Sequence, residues 1–90
     1  KIILMNINEL IAIVKNKLER EIAIQDLKIE DKSFLHKNHK GHQEGKFHLK
    51  IIINSDELAK TSKVASTKRI YSVLDLELKE YIHSIQILLN

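Results

Sequence analysis

No cysteine occurs in this 90-residue sequence. The chain therefore forms no disulfide and has no thiolate of its own for metal binding or covalent catalysis. That agrees with a reducing, intracellular setting, and the cytoplasm is the expected location. Long apolar runs are missing too. Nothing approaches the roughly 20 residues that span a bilayer, so no membrane partner is expected. The opening KIILMNIN is apolar but short, lacks a small-residue cleavage site and does not read as a signal peptide. Met5 is a candidate natural start, with residues 1–4 as upstream sequence. Charge of one sign is scarce. The net charge of +3 is a weak basic bias, far from the basic stripe of a dedicated nucleic-acid protein. Only two glycines occur, Gly41 and Gly45, and they form no phosphate-cradling motif. Repeats, low-complexity tracts and linkers are absent. This length makes one domain with a single core, spanning 1–90 with residues 1–5 expected to be extended or disordered.

What is present is a clear change of hydrophobic period along the chain. Asn6 is placed to cap a helix, with Glu9 as its reciprocal partner. Ile7, Ile11, Val14, Leu18 and Ile22 then share one face, which predicts a helix over 7–21. Lys15, Lys17, Glu19 and Arg20 fall mostly on the solvent side. Residues 25–31 alternate, Leu27 and Ile29 against Lys28 and Glu30, as a half-buried strand does. Residues 32–45 are too polar to bury and read as a loop. A second strand follows over 46–54. Phe47, Leu49, Ile51 and Ile53 take one face; His48, Lys50 and Ile52 take the other, which is expected to be open. The two strands should pair as an antiparallel hairpin with a long connection.

Ser55 caps a short helical turn, with Asp56 and Glu57 well placed for the helix dipole. Thr61 or Ser62 caps a longer helix ending near Glu80. Its expected apolar stripe is Val64, Tyr71, Leu74 and Leu78, with Ile70 and Val73 beside it, which makes Tyr71 a core residue. Residues 83–89 alternate again and form a third strand. A strand, helical crossover and strand within one sheet should be right-handed, so the second and third strands should be parallel. The expected fold is α+β, in the order α-β-β-α-α-β, with helices on one face of a three-stranded mixed sheet.

The stretch 31–56 carries four of the five histidines, His36, His39, His42 and His48. Imidazole is a common ligand for zinc, copper, nickel and iron. His36, His39 and His42 are spaced by three, but the nearby glycines favour a loop, and a loop without fixed geometry discriminates poorly among metals. A solvated polar loop with incidental metal affinity is the simpler reading of that trio. His48, at the start of a strand and opposite the core set, reads as structural, orienting the loop through a hydrogen bond. His83 lies at the rim of the core, and taken alone it reads as a satisfied, partly buried side chain. No enzyme is indicated. Asp31, Ser33 and His36 are sequence neighbours on a loop, and a triad is defined by geometry.

Taken in order, Asp31-Lys32-Ser33, His36, the run from His48 to Ser55, Ser62-Lys63-Val64-Ala65, Arg69-Ile70-Tyr71 and Ile82-His83-Ser84-Ile85 resemble the BolA family. The resemblance covers about Ile7 to Leu89. The family fold is similar to a type II KH arrangement, which matches the element order read above. Two segments depart from the family pattern. Leu58-Ala59-Lys60 stands where Phe-x-Gly is usual, and Ser66-Thr67-Lys68 where Arg-His-Arg is usual.

The resemblance implies a non-enzymatic partner of a monothiol glutaredoxin, acting in iron–sulfur cluster trafficking or iron homeostasis. It implies a shared 2Fe–2S cluster, with a partner cysteine and glutathione supplied through the partner as two of the ligands. This chain would supply His83 and, by position, His36, with His39 or His42 as substitutes. Histidine can replace thiolate on one iron of such a cluster, so the donor arithmetic is coherent for a chain without cysteine. The isolated protein is then expected to be monomeric or weakly self-associating. The alternative is a nucleic-acid-binding transcriptional regulator that contacts phosphate through Lys60, Lys63, Lys68 and Arg69. KH domains clamp the backbone with a Gly-x-x-Gly turn, and Ala59-Lys60-Thr61-Ser62 has no glycine there. A plain protein-binding adaptor is the third reading.

Overall fold

The computed structural model describes residues 6–32 and 47–90. Helix α1 spans Ile7–Glu21 and begins as its sequence requires: the Asn6 side chain accepts from the backbone N–H of Glu9 at 2.8 Å. Leu10, Val14 and Leu18 recur at helical spacing and are fully buried. Each contributes on the order of 1.5–3 kcal/mol by leaving water. Lys17 is half-buried rather than on the solvent side, because its ammonium reaches the buried Glu77 at 2.7 Å.

Strand β1 (Asp26–Asp31) pairs antiparallel with β2 (Phe47–Asn54) in the register Leu27 to Ile53 and Ile29 to Ile51. Strand β3 (Ile82–Leu89) pairs parallel with β2 on its other side. The sheet therefore has three strands in the order β1-β2-β3, mixed as expected. Leu49, Ile51 and Ile53 of β2 are buried and form one core with the helices. Ser55 caps α2 (Asp56–Ala59) by accepting from Leu58 N–H at 3.2 Å, and its own hydroxyl donates to the carbonyl of Ala23 at 2.6 Å. Of the two candidate caps for the next helix, Ser62 is the one used: it accepts from the N–H of Ala65 at 3.1 Å.

The single helix expected to end near Glu80 is two. Helix α3 covers Lys63–Val73 and α4 covers Asp75–Glu80, with Leu74 between them at φ −100° and ψ 19°. The expected stripe also turns. Ser66, Ile70, Leu74 and Glu77 are the buried set, whereas Val64 is 65% and Tyr71 44% exposed. Tyr71 is therefore not a core residue. Ser66 can occupy the inner face because its hydroxyl donates to the carbonyl of Leu58 at 3.1 Å and also bonds the hydroxyl of Thr61. No helix among the described residues is long and apolar enough to cross a membrane.

Candidate metal centre on the parallel strand pair

The sheet brings two of the five histidines together. His48 is the second residue of β2 and His83 the second of β3. In the parallel register Phe47 pairs with Ile82, but His48 pairs with Ser84, so His83 is an extra residue. Such a bulge bends the strand and re-aims a side chain. Ile82 and Ile85 both keep to the core face, and the extra residue absorbs the odd step between them. Strict alternation would have placed His83 on the core side with Ile85. The bulge instead leaves it exposed, so it is not the partly buried histidine that its position at the core rim suggests.

His48 is the buried member of the pair, 6% exposed. Its Nδ1 lies 2.6 Å from the hydroxyl oxygen of Ser84, its register partner on β3. Its ring centroid is 4.9 Å from that of His83, at 41° between planes, within the range of favourable aromatic contacts. The sheet face carrying His48 is thus not open at this end, where the ring is buried; farther along, Lys50 and Ile52 are half-buried. The hydrogen bond of His48 to Ser84 goes to β3, and the loop that His48 is expected to orient lies outside the described residues.

His36, His39 and His42 lie outside the described residues, as do Ser33, Gly41 and Gly45. Among the described residues no group of three or more His, Cys, Asp or Glu side chains is placed to hold a metal ion. One exposed imidazole beside a hydrogen-bonded one can supply one ligand to a group whose other ligands come from elsewhere. It does not suit a self-contained site, which needs about four protein donors for zinc or an iron–sulfur cluster.

The basic residues separate into two kinds. Lys60, Lys63 and Lys68 are exposed around the α2–α3 turn and on α3, beside exposed Val64 and Tyr71. Arg69 is committed to the fold. Its guanidinium pairs with Glu57 and donates to the carbonyl of Glu21 at 2.7 Å. Glu57 in turn accepts from the backbone N–H of Ala23 at 3.2 Å. The Ala23 N–H and the Arg69 guanidinium, in that order of effect, hold its carboxyl below the usual glutamate range.

Sequence reasoning did not single out Ser84, which read only as a polar residue in the alternation. The available signal was local: Ile82 and Ile85 are three apart in a strand where Ile85, Ile87 and Leu89 recur every second position.

The family model for BolA-like protein matches residues 18–90. The chain belongs to the BolA family. A curated relative, the DNA-binding transcriptional regulator BolA of Haemophilus influenzae, is 33% identical over 73 residues, 81% of this chain and 68% of that protein. The BolA domain of SufE1 from Arabidopsis thaliana superposes with a TM-score of 0.75 at 28% identity, covering 96% of this chain and 93% of its own. BolA1 from Arabidopsis thaliana gives 0.75 at 27% identity, covering 88% of this chain and 87% of its own. The BolA-type α+β fold is thus shared along nearly the whole chain.

Proposed function

We propose that this BolA-family protein is a non-enzymatic, cytoplasmic partner of a monothiol glutaredoxin. With it the protein shares a glutathione-ligated 2Fe–2S cluster in iron–sulfur trafficking or iron homeostasis. The observation that carries this reading is the bulge, which sets His83 in solvent against the buried ring of His48. An exposed imidazole backed by a fixed one is suited to a donor that must reach a group held partly by another protein. His83 is one proposed ligand. His36 is the second, with His39 and His42 as alternatives. Coordination requires neutral imidazole, so the shared site is sensitive to acid. Mixed histidine and thiolate ligation also raises the cluster potential. Both properties suit transfer or sensing better than storage. Alone, the protein is monomeric or weakly self-associating and colourless.

The test is anaerobic cluster reconstitution with a monothiol glutaredoxin and glutathione, read by visible absorption and circular dichroism. The mixture is expected to show a spectrum distinct from the glutaredoxin's own cluster, and His83→Ala abolishes it. Loss with His36→Ala as well assigns the second ligand; persistence there moves the assignment to His39 or His42. A glutaredoxin spectrum unchanged by the wild-type protein overturns the reading.

The name of the Haemophilus influenzae relative, together with the exposed Lys60, Lys63 and Lys68, favours one second reading, DNA binding by a transcriptional regulator. Those lysines would contact phosphate and give a salt-dependent, largely sequence-independent affinity. Replacing all three by Gln should then flatten the salt dependence. Equal salt slopes for the two proteins exclude this surface.

A further inference from the structure

Resting on the reading of His83 as a shared ligand, we infer that His48 is a positioning residue for it, and that the Ser84 hydroxyl locks His48. Four observations support this. The His48 ring is buried, so its rotation is opposed by packing. Its Nδ1 is bonded to Ser84 at 2.6 Å, which fixes the plane of the ring whichever atom carries the shared hydrogen. The His83 ring rests on it at 4.9 Å, although His83 itself is exposed. The bulge makes the three groups meet, because it puts Ser84 rather than His83 in register with His48.

The physical need for such a device follows from entropy. An exposed histidine on a strand end samples several side-chain rotamers, and ordering it at the moment of binding costs side-chain entropy. A ring held beforehand by a neighbour avoids most of that cost. Groups behind metal ligands commonly fix their orientation in this way. Here the orienting contact is a tilted ring-to-ring contact rather than a hydrogen bond to the ligand, and the hydrogen bond lies one step further back, at Ser84.

The experiment uses the full chain without any cluster. Nuclear magnetic resonance reads the three-bond couplings of the His83 Cβ protons and the ring-to-ring nuclear Overhauser effects between His48 and His83. The wild type should give one His83 rotamer and clear ring-to-ring effects. Ser84→Ala should average the couplings and weaken those effects, and Ser84→Thr should restore both. His48→Ala should leave His83 fully averaged. Ser84 is exposed by its surface area, so its replacement keeps the fold even if that of His48 does not. Averaged couplings in the wild type, or unchanged couplings in Ser84→Ala, overturn the inference.

A second reading with the glutaredoxin mixture gives the functional side. Ser84→Ala should change the shape of the visible dichroism bands at wild-type cluster yield, and Ser84→Thr should return them to the wild-type shape. Unchanged band shape in Ser84→Ala overturns the positioning role at the cluster. If the wild-type protein forms no shared cluster, the proposed function fails, while the couplings still decide whether His48 orients His83.

Discussion

Glu77 lies on α4 with its side chain 4% exposed, and the Lys17 ammonium of α1 reaches its Oε2 at 2.7 Å. Its Oε1 has no hydrogen-bond partner among the described residues. A carboxylate in that position depends on its Lys17 partner. Removing one partner of a buried pair costs more than the pair is worth, because the remaining charge stays desolvated. Lys17→Met is therefore expected to destabilise the protein by about 3 kcal/mol, read as a lower urea midpoint. The double change Lys17→Met with Glu77→Leu should recover most of that loss. A single-variant loss below about 1 kcal/mol, the range of exposed pairs, would show that water reaches the carboxylate. The same reasoning separates the histidines: His48 is buried and bonded to Ser84, whereas His83 keeps its imidazole available in solvent.

At the scale of elements, Arg69 and Glu57 join three pieces of chain. Arg69 on α3 ties the end of α1 through the Glu21 carbonyl and ties α2 through Glu57. Glu57 also receives the Ala23 N–H, while Ser55 donates to the Ala23 carbonyl. The turn after α1 is thus held from both its backbone groups. Glu57 has a folded pKa below its unfolded value. Its contribution is complete above the unfolded value of roughly 4.3. It is lost as the pH falls through the depressed folded value. Unfolding in urea across the acid range should show a shallower acid loss in Arg69→Met than in the wild type. Glu57→Gln should be shallower still. Some acid dependence will remain, because Glu30 is also lowered, by Lys28 and then Lys32. Identical acid profiles for all three proteins would remove Glu57 from the linkage.

For the whole molecule, β2 is the centre. It pairs on both edges and contributes three fully buried side chains, Leu49, Ile51 and Ile53, to the single core. Ile51→Ala is expected to cost about 3 kcal/mol through lost burial and a residual cavity. Tyr71→Ala, at an exposed site on α3, should cost less than about 1 kcal/mol. Chemical denaturation of the two variants compares the buried and exposed positions directly. A larger loss for Tyr71→Ala would restore Tyr71 to the core.

The sequence by itself determined α1, the two strand faces of β1 and β2, two helix caps and the parallel pairing of β3. Each of these depends on local period, on a capping side chain or on the handedness of a crossover. The BolA resemblance was legible in short motifs spread along the chain, and His83 was visible as a residue to watch. Tertiary structure decided the rest. The bulge at His83 is a relation between β2 and β3, which must keep both Ile82 and Ile85 inside. The inner face of α3 and α4 carries Ser66 and Glu77, polar residues that only distant partners make tolerable: Leu58 for one, Lys17 for the other. Arg69 reaches Glu57 and, 48 residues away, Glu21, partners that its own helix does not announce. Periodicity records which side of an element meets the core. It carries no information about which remote charge, hydroxyl or ring will be waiting there, and those contacts placed His83 in solvent on a fixed support.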